Sequence, residues 1–148
     1  LGAVTGMVAG LGTITPASGF VGPGGALIIG LSAGLVCFMA TNFIKRTLHI
    51  DDSLDVFPVH GVGGILGTLL TAIFASNALG VFSGQQDINI ASQLSTQAIG
   101  VVVAVVYTAV ITFGILKLTD RLVGNRVEAD QEQEGLDLVS HNERGYDL

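Results

Sequence analysis

Apolar residues in this chain do not alternate with polar ones; they run together. Four stretches, roughly 1–20, 24–44, 56–76 and 94–116, contain no Asp, Glu, Lys or Arg. Each approaches or exceeds the about 20 residues a helix needs to cross a hydrocarbon core. Backbone groups in lipid must pair within their own segment, so each run is expected to be a helix. None shows the polar alternation of a barrel strand. The pattern therefore predicts an all-α membrane protein with four transmembrane helices within residues 1–126 and a polar tail over 127–148.

The connections carry the next layer of information. Between the first two runs lies Thr15-Pro16-Ala17-Ser18-Gly19-Phe20-Val21-Gly22-Pro23-Gly24-Gly25, where two prolines and four glycines break the helix and turn the chain back. No charge occurs there. Lys45, Arg46 and His49 follow the second run, and Lys117, Arg121 and Arg126 follow the fourth, whereas the connection from Asn77 to Gln93 carries only Asp87. Basic residues gather on the cytoplasmic side of membrane proteins, so the first span is expected to run in to out and the tail to be cytoplasmic. The expected location is the cell (inner) membrane, crossed several times.

Charge is distributed just as unevenly. Residues 1–44 have none, while Val127 onward has seven acids against Arg144, so the net charge of −6 belongs mainly to the tail. No nucleic-acid partner and no cofactor are expected. The single Cys37 sits in an apolar run as a small packing residue and offers neither an internal disulfide nor a cysteine metal site. The chain opens on Leu1-Gly2-Ala3-Val4 without an initiating Met or a basic segment, so it is read as the carboxyl-terminal piece of a longer membrane protein.

Small residues recur at helical spacing: Gly2, Gly6 and Gly10, then Gly30 and Gly34, then Gly63, Gly64 and Gly67. They are expected to let helix backbones approach closely. The fourth run, rich in Val101, Val102, Val103, Val105, Val106, Val110 and Ile111, has fewer glycines and is expected to face lipid or a neighbouring subunit.

One residue stands apart. His60 is the only histidine, acid or base within the four runs, and such a side chain costs roughly 2.5 kcal/mol or more inside a span, so it signals a task. Asp51, Asp52 and Asp55 precede it. Asp55 is expected to cap the third helix, leaving Pro58 in the first turn, where its missing N–H is harmless, and His60 roughly 8 Å further on. Val56, Gly64 and Gly67, with Gly63 beside them, are expected to share its face. Apolar surroundings favour the uncharged imidazole, with one donor and one acceptor, which suits a neutral hydrogen-bonding solute better than a bare cation. The alternative is that His60 merely bonds to another helix.

Three segments together, TPASGFVGPGGALIIG (15–30), DDSLDVFPVHGVGGILG (51–67) and EQEGLDLVSHNERGYDL (132–148), resemble the ammonium transporter, methylammonium permease and Rhesus family, most closely its bacterial ammonium channels. Their order and spacing are similar to the last four spans of an eleven-helix ammonium transporter fold plus its tail. The resemblance implies a homotrimer with one pore per subunit and two adjacent histidines in each pore, of which His60 looks like the second. Val56 matches a pore-lining position and Thr15 one close to the conduction path. Ammonium would lose its proton at an outer site, and ammonia would pass the histidine pair. The partner histidine, the outer cation site and a phenylalanine gate would lie in earlier spans.

Asp52 and Asp55 match acidic positions that are expected to act in capping and inner-mouth structure. In the tail, Gly135, Leu136, Asp137, His141 and Tyr146 fall on the stretch by which the resemblance implies docking against the subunit's inner face and against a PII nitrogen-regulatory protein. Val139 stands where plant relatives carry a phosphorylatable threonine, with Ser140 beside it. Two rival readings differ in class. An ammonium sensor would signal through the tail with little flux. An intramembrane hydrolase using Ser18 and His60 would need them about 3 Å apart, whereas helical rise separates them by roughly 15 Å. The chain is therefore not expected to be an enzyme.

Overall fold

The computed structural model describes residues 2–76 and 88–144. Every regular element among them is helical, with no strand. The chain divides into two units, one reaching Ala104 and one starting at Val105.

In the first unit, α1 (Gly2–Ile14) ends in a tight 3-10 turn at Thr15–Ala17. The Thr15 hydroxyl donates to the Leu11 carbonyl at 2.8 Å, taking up an acceptor of the last helical turn. Gly19 then turns the chain at φ +83°, a backbone region that glycine enters without a Cβ penalty. Helix α2 (Pro23–Asn42) starts with Gly22 at its cap and Pro23 first in the helix, where proline is already preorganised. It runs on through a wider π-turn at Phe43–Thr47. A second π-turn, Phe57–Val62, leads into α3 (Gly63–Phe74).

Helices α1, α2 and α3 pack against one another in all three pairings. Each contributes a buried seam of mostly small residues at four-residue spacing. These are Ala9, Thr13 and Ala17; Gly25, Ile29, Ala33 and Cys37; and Val59, Gly63, Gly67 and Thr71. Close backbone approach supplies the van der Waals contact that replaces a hydrophobic drive in lipid. A Cβ on Gly63 would stand 2.7 Å from Thr13 Oγ1 and 3.3 Å from Cys37 Sγ, and one on Gly67 would run into the Thr13 carbonyl. Cys37 is buried as expected. The glycine expectation holds only in part. Around Gly2, Gly6, Gly10, Gly30, Gly34 and Gly64 no described residue would touch an added Cβ. Alanine and threonine, rather than glycine, form the α1 seam.

Among the described residues, three helices are long and apolar enough to cross a membrane: Pro23–Thr47, Phe57–Phe74 and Ile90–Leu122. Within the first predicted span the α-helix ends at Ile14, ahead of the tight turn that holds Pro16. The fourth is longer than its apolar stretch. Helix α4 (Ile90–Leu122) has 33 residues, since polar residues at either end continue the helix beyond the hydrocarbon core. The Asn89 side chain accepts the Ser92 N–H at 3.1 Å at its start. No residue of α4 is buried, so its valine-rich surface is left to whatever surrounds this chain. Asp87 and the adjoining part of the 77–93 connection lie outside the described residues.

In the second unit, α4 is closed by Asn125, whose side-chain amide donates to the Leu116 carbonyl at 2.8 Å. Two short helices follow, α5 (Ala129–Glu134) and α6 (Leu136–His141). They meet at Gly135, with φ +101° and ψ 132°, and contact each other. Arg126 pairs with Glu132 at 3.0 Å, fixing the first of them to the segment before it. The acidic tail thus has local helical structure, more than its composition alone predicts. Tyr146 lies outside the described residues.

Candidate functional site

The loop entering α3 is built by carboxylates. Asp52 Oδ1 accepts the Val56 N–H at 2.9 Å and Oδ2 accepts the Phe57 N–H at 2.8 Å, so both oxygens satisfy backbone donors at the helix start. The expected cap at Asp55 is therefore corrected to Asp52. Asp55 is in the left-handed region at φ +55°, and its Oδ1 lies 2.7 Å from the Lys45 ammonium. The chain geometry explains the exchange. The Asp55 N–H bonds the Asp52 carbonyl at 3.2 Å, closing a turn that swings the Asp52 carboxylate over the next two amides.

Past the cap, the backbone takes the π-turn rather than a regular helical one. Pro58 stands at the start of this turn, where a helix has no partner for an N–H and proline is tolerated. A π-turn is also a frequent feature of functional sites. Four-residue spacing carries through the turn, and what the sequence reading missed is which set of residues is buried. Pro58 and Val59 are buried, with Gly63 and Gly67 continuing Val59's seam, whereas Val56 and His60 are exposed on the other side. The expected stripe joining His60 to Gly63 and Gly67 does not form. Gly64, half-buried and open at its Cβ, remains outside the seam.

His60 lies against α1 at a residue the sequence reading missed. A Cβ on Gly12 would stand 3.8 Å from His60 Nδ1 and 3.8 Å from the Val59 carbonyl oxygen. An added methyl at Gly12 would thus reach the imidazole at ordinary van der Waals distance, which sets the ring beside the Gly12 backbone, and the signal for it was only another glycine in a glycine-rich run. Thr15 follows three residues later, exposed, with its hydroxyl committed to Leu11. The π-turn contacts α1, and the Thr15–Ala17 turn contacts α3. The structure therefore sets His60 beside Gly12 where the π-turn contacts α1, while Thr15 lies in the turn that contacts α3.

Lys45 was counted in the sequence only as a topological charge; its role as the partner of Asp55 needed the fold. The pair sits beside a cavity of about 380 Å³ lined by Thr5, Gly6, Gly34, Cys37 and Asp55 among others. In the tail, Gly135 is the hinge between the two short helices, Leu136 and Asp137 open α6, and His141 closes it, where an imidazole complements the negative helix end.

Comparison with known proteins agrees with this architecture. Residues 1–146 match the Ammonium Transporter Family. A putative ammonium transporter of Methanothermobacter thermautotrophicus is 45% identical over the whole of this chain and 37% of its own length. The ammonium transporter Amt1 of Archaeoglobus fulgidus is 42% identical over 99% of this chain and 37% of that protein. Among solved structures, a protein described as a sensor Amt protein superimposes with a TM-score of 0.81 at 34% identity, covering 94% of this chain and 34% of that one. This chain thus spans little more than a third of the length of the relatives it matches. With residues 1–146 under the family match and an Amt structure overlying its helices, the chain belongs to the ammonium transporter family.

Proposed function

We propose that this chain forms part of a protein that carries ammonium nitrogen across a membrane, and that His60 lines the path. The observation that carries this reading is the exposed imidazole on a π-turn beside Gly12, in a chain whose four apolar runs contain no other histidine, acid or base. A neutral imidazole offers one donor and one acceptor to a small solute. The apolar residues flanking it make passage of an unshed charge costly. Ammonium would give up its proton before this point, and ammonia would hydrogen-bond its way past His60 and a second histidine on a helix outside this chain. Val56 would narrow the path, and Thr15 would lie near its outer end.

The remaining features fit the same reading. Asp52 and Asp55 organise the inner mouth, and the exposed apolar α4 suits lipid or a neighbouring subunit of a homotrimer. The basic residues after α2 and α4 favour a cytoplasmic tail at the cell (inner) membrane. In that compartment the α5–α6 pair would be within reach of a PII nitrogen-regulatory protein. The chain would act as a transporter, with no catalysis of covalent chemistry.

A second reading has one observation in its favour, the overlay on a protein described as a sensor. Labelled methylammonium uptake into liposomes bearing the full-length protein separates the two. Uptake clearly above that of protein-free liposomes is expected. Correctly assembled protein that binds ammonium without uptake would move the assignment to the sensor.

A further inference from the structure

The geometry points to a positioning role for the Lys45–Asp55 ion pair: it ties the π-turn that ends α2 to the π-turn that carries His60, and so sets the orientation of the imidazole. This deepens the transport reading and rests on it for its functional consequence.

Lys45 lies within the Phe43–Thr47 turn, and Asp55 stands two residues before the Phe57–Val62 turn. Between them the chain is irregular, with His49 and Asp55 both in the left-handed region at φ +52° and +55°. Such a conformation is unfavourable for a residue with a Cβ and persists only where its surroundings over-determine it. Here three contacts do so: the Lys45 ammonium at 2.7 Å on the side chain, the Asp52 carbonyl on the N–H, and the Val59 N–H on the carbonyl at 3.0 Å. That last bond closes onto the residue next to His60. A rotation at Asp55 therefore passes into the imidazole within one turn, while Asp52 holds the two amides between.

Magnitude separates this role from simple stabilisation. The Lys45 side chain is 39% exposed and that of Asp55 20%. With the ammonium this open to solvent the pair contributes modestly to folding, although the contacting Asp55 oxygen is itself buried. What it does supply is a fixed geometry across a loop otherwise held by contacts within itself, the backbone turns and the Asp52 cap.

The test uses the full-length protein in liposomes with Lys45→Glu, Asp55→Lys and the double swap, reading maximal rate and KM of methylammonium uptake separately. Each single reversal is expected to lower the maximal rate about threefold to fivefold with the oligomer intact. The swap is expected to recover most of the loss. Lys45→Gln, with Lys45→Arg as the conservative control, takes the place of any reversal that fails to assemble. A second readout needs no flux: the ring nitrogen signal of His60 in histidine-labelled protein, assigned by its disappearance in His60→Ala. It is expected to shift in each single variant and to return in the swap. An unmoved His60 signal, or a swap no better than the single variants, overturns the positioning role. Absence of uptake in the unaltered protein overturns the transport reading instead, and the His60 signal still decides the role of the pair.

Discussion

Gly67 of α3 packs directly on the carbonyl of Thr13 in α1, with no room for a methyl group between the two backbones. The obstacle is main chain on both sides, so neither partner can rotate away. Gly67→Ala is expected to destabilise the α1–α3 contact by about 1–3 kcal/mol or more. Thermal unfolding of the purified protein in detergent checks this. Gly63→Ala is expected to be milder, because the nearest atom to its new methyl is the rotatable Thr13 hydroxyl. An equal loss at the two positions would contradict the packing described.

Thr13 is fully buried, and its hydroxyl has no hydrogen-bond partner of good geometry among the described residues. An unsatisfied buried hydroxyl costs about 1–3 kcal/mol, so Thr13→Val, close in shape, is expected to leave stability unchanged or raise it by about 1 kcal/mol. A drop in the midpoint of thermal unfolding would show that the hydroxyl has a partner in the assembled protein.

Asp52 satisfies two amides at the entrance to the π-turn. Asp52→Ala removes both bonds and is expected to cost about 0.5–2 kcal/mol, as loss of a helix cap does. Hydrogen exchange at Val56 and Phe57 is expected to accelerate more than exchange in the middle of α3. Uniform acceleration throughout α3 would count against a local cap.

Gly135 joins α5 and α6 in a backbone conformation open almost only to glycine. Gly135→Ala is expected to strain the hinge by about 1–3 kcal/mol and expose the tail. Limited proteolysis should then cut between Glu134 and Leu136 faster than in the unaltered protein, while the spans stay intact. Unchanged cleavage would mean that the two helices can meet by another route.

Much of this could be read from the chain itself, because lipid imposes a simple rule on sequence. Uncharged runs marked the helices, and Pro16, Gly19 and Pro23 marked the break between α1 and α2. What could not be read was local geometry that departs from a regular helix. Pro58 marked the first turn, yet nothing in the residue order says that a π-turn follows or which of the small residues after it are buried. His60 was consequently placed with Gly63 and Gly67, although those two glycines join Val59 in the buried seam. Asp55, next to the helix start, was the expected cap, but its left-handed backbone gives the amides to Asp52 and leaves Asp55 to Lys45. Helix α4 extends beyond the predicted 94–116 run at both ends, through Ser92 and Gln93 before it and Lys117, Asp120 and Arg121 after it, because polar residues can continue a helix where hydrophobicity is no guide.

The placement of His60 in the conduction path is tested most directly by one comparison: labelled methylammonium uptake into liposomes by the full-length protein and by His60→Ala, with both shown to form the same oligomer. Replacing the imidazole removes the hydrogen bonds offered to the passing solute, and uptake is expected to fall about tenfold or to lose its discrimination between ammonium and methylammonium. Unchanged uptake with unchanged selectivity in the variant would contradict a pore-lining role and leave His60 as a structural residue beside Gly12.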